Sequence, residues 1–185
     1  MKIISSESRV GFRDSNNRRA LCVAPKITMN TLKTILYMGF MHGFFTFYFP
    51  YQLGLRTTSQ FDFGYLRFLA FPFWFLGALI IIQCSIEIIR RGRGTPAHFD
   101  PPRELVIRGL YRYIRNPIYL GALLVQVGYI LWFGSALAIL YAVMFFLAFH
   151  FLIVVVEEPI LRNTFGAEYE EYCGKVPRWI PKISA

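Results

Sequence analysis

The sequence predicts an all-α integral membrane protein with about four transmembrane helices, the last two forming a C-terminal helical hairpin. Three observations predict it. Residues of the AVILMFWYC set make up 55% of the 185 residues and aromatics 18%, including nineteen Phe and eleven Tyr, more than a small water-soluble core can hide. Charged residues are only 17%, against about 25% in soluble domains, and the mean hydropathy is +0.42. The apolar residues fall in four runs of near-membrane length, with basic residues beside them. Disorder and a disulfide scaffold are excluded. The three cysteines, Cys22, Cys84 and Cys173, are far apart and form no CxxC pair, so no metal site is expected. The net charge of +9 would suit nucleic acid, but its placement beside apolar runs is what anionic lipid selects. Membrane lipid, and no nucleic acid, is the expected partner.

Residues 1–30 form a polar, basic arm carrying six Lys/Arg (Lys2, Arg9, Arg13, Arg18, Arg19 and Lys26). They are too polar and too long for a cleaved signal peptide. Residues 31–89 hold two expected spans, Thr31 to Leu55 and Leu66 to Ile89. The third, Ile118 to Phe133, is only about 24 Å long at 1.5 Å per residue, so it borrows Pro117 and its flanks. The fourth is Ala136 to Val156. Phe133-Gly134-Ser135 is short enough only for a tight turn, which makes spans three and four an antiparallel hairpin. Seven arginines lie between spans two and three, against only Arg56 and Arg67 between spans one and two and none at the Gly134 turn. Lys/Arg-rich connections stay in the cytoplasm. A multi-pass protein of the cytoplasmic membrane, with both termini cytoplasmic, is therefore expected.

Two polar segments hold the residues suited to chemistry, and both fall on the expected cytoplasmic side. In the first, Asn116-Pro117 marks a helix start, Asn as cap and Pro at the first helical position. The helix N-terminus beside Arg115 suits a carboxylate or phosphate; the alternative is a well-capped helix with Arg115 reaching lipid headgroups. In the second, Glu157-Glu158 end the fourth span, where the helix dipole opposes negative charge, and Pro159 is expected to stop or kink the helix. The hairpin returns these acids to the level of Asn116. They either meet a cationic or zwitterionic molecule or are neutralised by Arg112, Arg115 or Arg162. His150, one to two turns before Glu157, lies where it can line a cavity. Trp132 and Trp179 read as aromatic anchors at the membrane boundary.

The run Gly109-Leu110-Tyr111-Arg112-Tyr113-Ile114-Arg115-Asn116-Pro117-Ile118-Tyr119-Leu120-Gly121 resembles the G-x-Y-x-x-x-R-H-P-x-Y-x-G signature of the isoprenylcysteine carboxyl methyltransferase family. Glu157-Glu158, Phe165-Gly166-x-Glu168-Tyr169, Tyr172 and Val176-Pro177-Arg178 are similar to its C-terminal pattern. Phospholipid N-methyltransferases and membrane thiol methyltransferases share parts of both. The resemblance covers about Pro96 to Pro181. Residues 90–185 then become a methyltransferase-like region: a cytoplasmic cofactor-binding loop, the transmembrane hairpin and a cytoplasmic tail.

The resemblance implies an integral membrane enzyme that uses S-adenosylmethionine as methyl donor. It implies cofactor contacts at Leu105, Val106, Tyr111, Asn116, Pro117, Ile118, Tyr119, Glu157 and Glu158, with Arg115 beside the helix start. Two positions depart from it. Asn116 stands where the signature has His and cannot titrate near neutral pH. Ile153 stands where eukaryotic members place a substrate-contacting arginine. The expected function is methyl transfer to a lipophilic or amphiphilic small acceptor, a carboxylate, thiol or amine, entering from the membrane. No dedicated base is visible; His150 and His98 are the candidates. The alternative is a non-catalytic membrane scaffold or lipid-binding protein that keeps the fold.

Overall fold

A computed structural model describes residues 32, 36, 39–88, 90 and 104–181. The basic arm 1–30, His98 and most of the arginine-rich loop lie outside the described residues. Among those described, all regular structure is helical, with no strand.

The first apolar segment is a π-helix, Gly39–Tyr48, that runs into α1, Phe49–Leu55. Pro50 opens α1 and brings no N–H, so carbonyls of the preceding turn need other donors. They find them on later helices. Tyr141 donates to the Phe45 carbonyl (2.6 Å), Gln126 to that of Thr46 (3.3 Å) and Tyr129 to that of Phe47 (2.9 Å). In hydrocarbon no water could replace these bonds.

A 3₁₀ turn, Gly64–Leu69, leads into α2, Ala70–Glu87. It packs along α3, Pro117–Phe133. Two glycines set this crossing. A Cβ at Gly77 would come within 2.5 Å of the Gly121 carbonyl oxygen, and one at Gly121 within 2.8 Å of that of Gly77. Lipid gives apolar helices no hydrophobic drive to associate, so close backbone approach through small residues supplies the contact. Gly121 closes the signature run, and its place in the fold is this helix contact.

The hairpin turn forms as its residues predict. Gly134 ends α3 in the left-handed conformation (φ 56°), and Ser135 caps α4, Ala136–Leu152, accepting from the Leu137 N–H. The Gly134 carbonyl accepts from the Gln60 and Phe61 N–H groups, each at 2.8 Å. Both arginine-poor connections therefore meet at one end of the bundle. At the other end, the Arg115 N–H donates to the Pro177 carbonyl (2.9 Å), which joins the second polar segment to the first.

Of the two outcomes expected at Pro159, a stop or a kink, the helix does not stop. The chain stays helical from Ala136 to Phe165, 30 residues: α4, a π-helical turn Ile153–Glu157, then α5, Glu158–Phe165. A proline ring clashes with the carbonyl four residues back, and a wider π turn gives that carbonyl room. Gly166, at φ 54°, then turns the chain into α6, Ala167–Lys175. Two described helical stretches, Gly64–Glu87 and Ala136–Phe165, are long and apolar enough to cross a membrane; Pro117–Phe133 is apolar and shorter.

Candidate functional site

The expected helix start is present at Pro117, with Asn116 in the cap position, but the Asn116 side chain makes no capping bond. Its Nδ2 donates to the Arg178 carbonyl instead (3.3 Å). Asn116 thus ties α3 to the C-terminal segment.

One turn further on, Tyr119 points at α4 and the π turn. Its ring packs 4.8 Å from that of Phe149, inside a core cluster with Ile81, Ala122, Phe145 and Ile153. Its hydroxyl donates to Glu157 Oε1 at 2.5 Å. The two polar segments, 38 residues apart in sequence, meet at this bond. Glu157 itself is half-buried.

Glu158 faces elsewhere. Its side chain is 3% exposed and takes four contacts from three arginines. Oε1 accepts from Arg115 Nη1 (3.1 Å) and Arg178 Nε (2.7 Å), and Oε2 from Arg178 Nη2 (2.9 Å), with Arg162 Nη2 at 3.5 Å. At about 1.5 Å per residue, roughly 20 residues cover the hydrocarbon, so an apolar span from Ala136 ends near Val156 and Glu158 lies beyond it. Burial works to raise its carboxyl pKa. The Arg178 hydrogen bond and the charges of Arg115, Arg178 and Arg162 outweigh burial and hold it below the usual 4.5. Neutralisation by Arg115 and Arg162, expected from sequence, is found for this acid; Arg178 is a third, bidentate partner that the sequence did not single out.

Arg115 Nη1 also donates to the Cys173 sulfur (2.8 Å). Its Nε is buried and makes no hydrogen bond among the described residues. Tyr111 packs on the Cys84, Ile88 and Ile118 cluster, and its carbonyl accepts from the Tyr172 hydroxyl (2.7 Å). Burial pushes the Tyr172 phenol above its ordinary range, which keeps it a donor there. Leu105 packs against Tyr169, Tyr172 and Val176, and Val106 is buried. Pro117 and Ile118 are buried at the foot of α3.

His150 is engaged by Trp179, whose indole Nε1 donates to His150 Nδ1 (3.1 Å). An indole nitrogen only donates, so Nδ1 must accept and neutral His150 carries its proton on Nε2. Its basic lone pair is therefore already in use. Trp179 also packs on Phe146 of α4, 5.1 Å between ring centroids. Val176-Pro177-Arg178 was visible as a pattern, yet nothing in it revealed that Arg178 and Trp179 reach two different helices.

Residues 65–168 match the phospholipid methyltransferase family, which is more than half of the chain. The chain belongs to the phospholipid methyltransferase family. It is similar to a probable protein-S-isoprenylcysteine O-methyltransferase of rice (Oryza sativa), 31% identical over 60% of this chain and 64% of that protein. A protein-S-isoprenylcysteine O-methyltransferase of Schizosaccharomyces pombe is 34% identical over 43% of this chain and 34% of its own length. A Haemophilus influenzae protein is matched over its whole length, 38% identical across 63 residues. The chain thus spans less than two thirds of the two methyltransferases it matches. The family resemblance expected from the two motifs is confirmed, and the match takes in α2, the hairpin and both acids.

Proposed function

We propose that this protein is a membrane-embedded, S-adenosylmethionine-dependent methyltransferase acting on a lipophilic or amphiphilic small acceptor. The observation that carries the reading is the Tyr119–Glu157 hydrogen bond, because it joins both motifs at one point beside a helix start. The residues there fit the donor. Glu157 would take its ammonium or ribose hydroxyls. The positive dipole end at the start of α3, with the buried Arg115 Nε, would take its carboxylate. Leu105, Val106, Tyr111, Asn116, Pro117 and Ile118 would form the walls. When bound, S-adenosylmethionine supplies a methyl already activated by its sulfonium. The protein's part is to align the acceptor, hold Tyr119 and Glu157 in place and exclude water. The occupied Nδ1 of His150 favours an acceptor that needs no base from that residue.

The same reading places four crossings in the membrane, with both termini cytoplasmic. It is supported by the arginine-poor connections meeting at one end and the arginine-rich segments at the other. The test is calorimetric titration of the detergent-purified protein with S-adenosylmethionine, followed by transfer of radiolabelled methyl into a total lipid and small-molecule extract. Binding that Glu157→Ala abolishes, and label in an extractable lipid, are expected. Absence of binding by the wild-type protein would overturn the proposal in favour of a non-catalytic scaffold.

A further inference from the structure

We infer that Glu158 is a positioning residue: it fastens the C-terminal strap, residues 176–181, across the start of α3 and so holds Glu157 against Tyr119. The functional half of this inference rests on the proposed methyltransferase reading; the fastening itself does not.

Three observations carry it. Both Glu158 oxygens are engaged, twice each, by arginines from three different places: Arg115 before α3, Arg162 on α5 and Arg178 on the strap. A carboxylate offers about four lone-pair sites, so little capacity is left for a bound ligand, and the side chain is 3% exposed. The strap is then pinned on either side of Arg178. The Pro177 carbonyl accepts from the Arg115 N–H, the Arg178 carbonyl from Asn116, and Trp179 donates to His150. Finally, Glu157 and Glu158 are adjacent at the end of the π turn. Clamping one carboxylate between α3, α5 and the strap fixes the backbone that aims the other at Tyr119. The two acids of one motif therefore do different things: Glu157 faces the site, and Glu158 anchors the parts that form it.

The experiment compares Glu158→Gln, Arg178→Gln and Arg178→Lys in the full-length protein in detergent. Hydrogen–deuterium exchange of peptides covering residues 176–181 reads the strap, and calorimetry with S-adenosylmethionine reads the site. Breaking one partner of a buried ion pair is strongly destabilising locally. Exchange in the strap is therefore expected to quicken about tenfold or more in both Gln variants. Arg178→Lys, which keeps the charge and loses the bidentate fork, should fall between them and wild type. Affinity for S-adenosylmethionine should fall in the same order. Should Glu158→Gln not fold, Arg178→Gln, on a partly exposed side chain, decides alone. Strap exchange unchanged in the Gln variants would overturn the inference. So would loss of binding in Glu158→Gln with wild-type binding in Arg178→Gln, the signature of a direct ligand. If the wild-type protein binds no S-adenosylmethionine, the methyltransferase reading fails while the exchange data still decide the fastening.

Discussion

Glu157 and Glu158 share a peptide bond and almost nothing else. One meets a phenol and the other meets three guanidinium groups, so substitution should separate them. Tyr119→Phe removes a single hydrogen bond, worth about 0.5–1.5 kcal/mol. It is expected to weaken S-adenosylmethionine binding roughly two- to tenfold with little change in unfolding temperature, as read by calorimetry and a thermal melt. Glu158 should also report on acid. Its folded pKa lies below the ordinary 4.5, so its contribution to stability is complete above that value and is lost as pH falls through the lowered one. The unfolding temperature of the wild type should drop on acidification below about pH 4.5; in Glu158→Gln that part of the drop should be missing. The paired acids and the V-P-R run were legible in the sequence. Which acid faced which partner was not, because that depends on a π turn and on a strap reaching back across 20 residues.

The helices carry their own lesson about proline and glycine. Pro159 reads locally as a helix end, since it removes a donor and crowds the preceding turn. The π turn at Ile153–Glu157 absorbs both effects, and the helix continues with Glu157 turned toward α3. Pro159→Ala would remove the clash and let the turn relax toward α geometry, where one residue is about 100° of rotation. S-adenosylmethionine binding should weaken several-fold while the unfolding temperature holds or rises. Gly77 and Gly121 act oppositely, in that they are silent in a hydropathy reading and set the α2–α3 crossing. Gly121→Leu must push apart two backbones already in contact. Overpacking of this kind costs about 1–3 kcal/mol, and a fall of roughly 5–10 °C in the detergent melt is expected.

At the scale of the whole molecule, the bundle has two unlike ends. One is built from the arginine-poor connections, with Gln60 and Phe61 bonded to the hairpin turn and the Gln60 side chain capping the Ala136 N–H (2.6 Å). The other gathers the arginine-rich entry to α3, α5, α6 and the strap. In the proposed topology, Thr58→Cys and Asn163→Cys, each exposed, should react with a membrane-impermeant maleimide from opposite faces of sealed vesicles. The background would carry Ser at Cys22, Cys84 and Cys173. Labelling of both from the same face would remove the four-crossing arrangement while leaving the Tyr119–Glu157 junction intact.

Composition and spacing by themselves determined the helical, membrane-suited class and the hairpin at Gly134, because hydrocarbon admits few backbone solutions and a turn needs particular residues; the family was legible only through the resemblance of the two motifs. Only the tertiary structure decided how two neighbouring carboxylates divide their partners, that Asn116 holds the strap rather than its own helix, and that His150 has spent its lone pair on Trp179. Those outcomes depend on side chains brought together from distant positions. A local pattern reports what each residue can offer, and the three-dimensional packing selects which offer is taken.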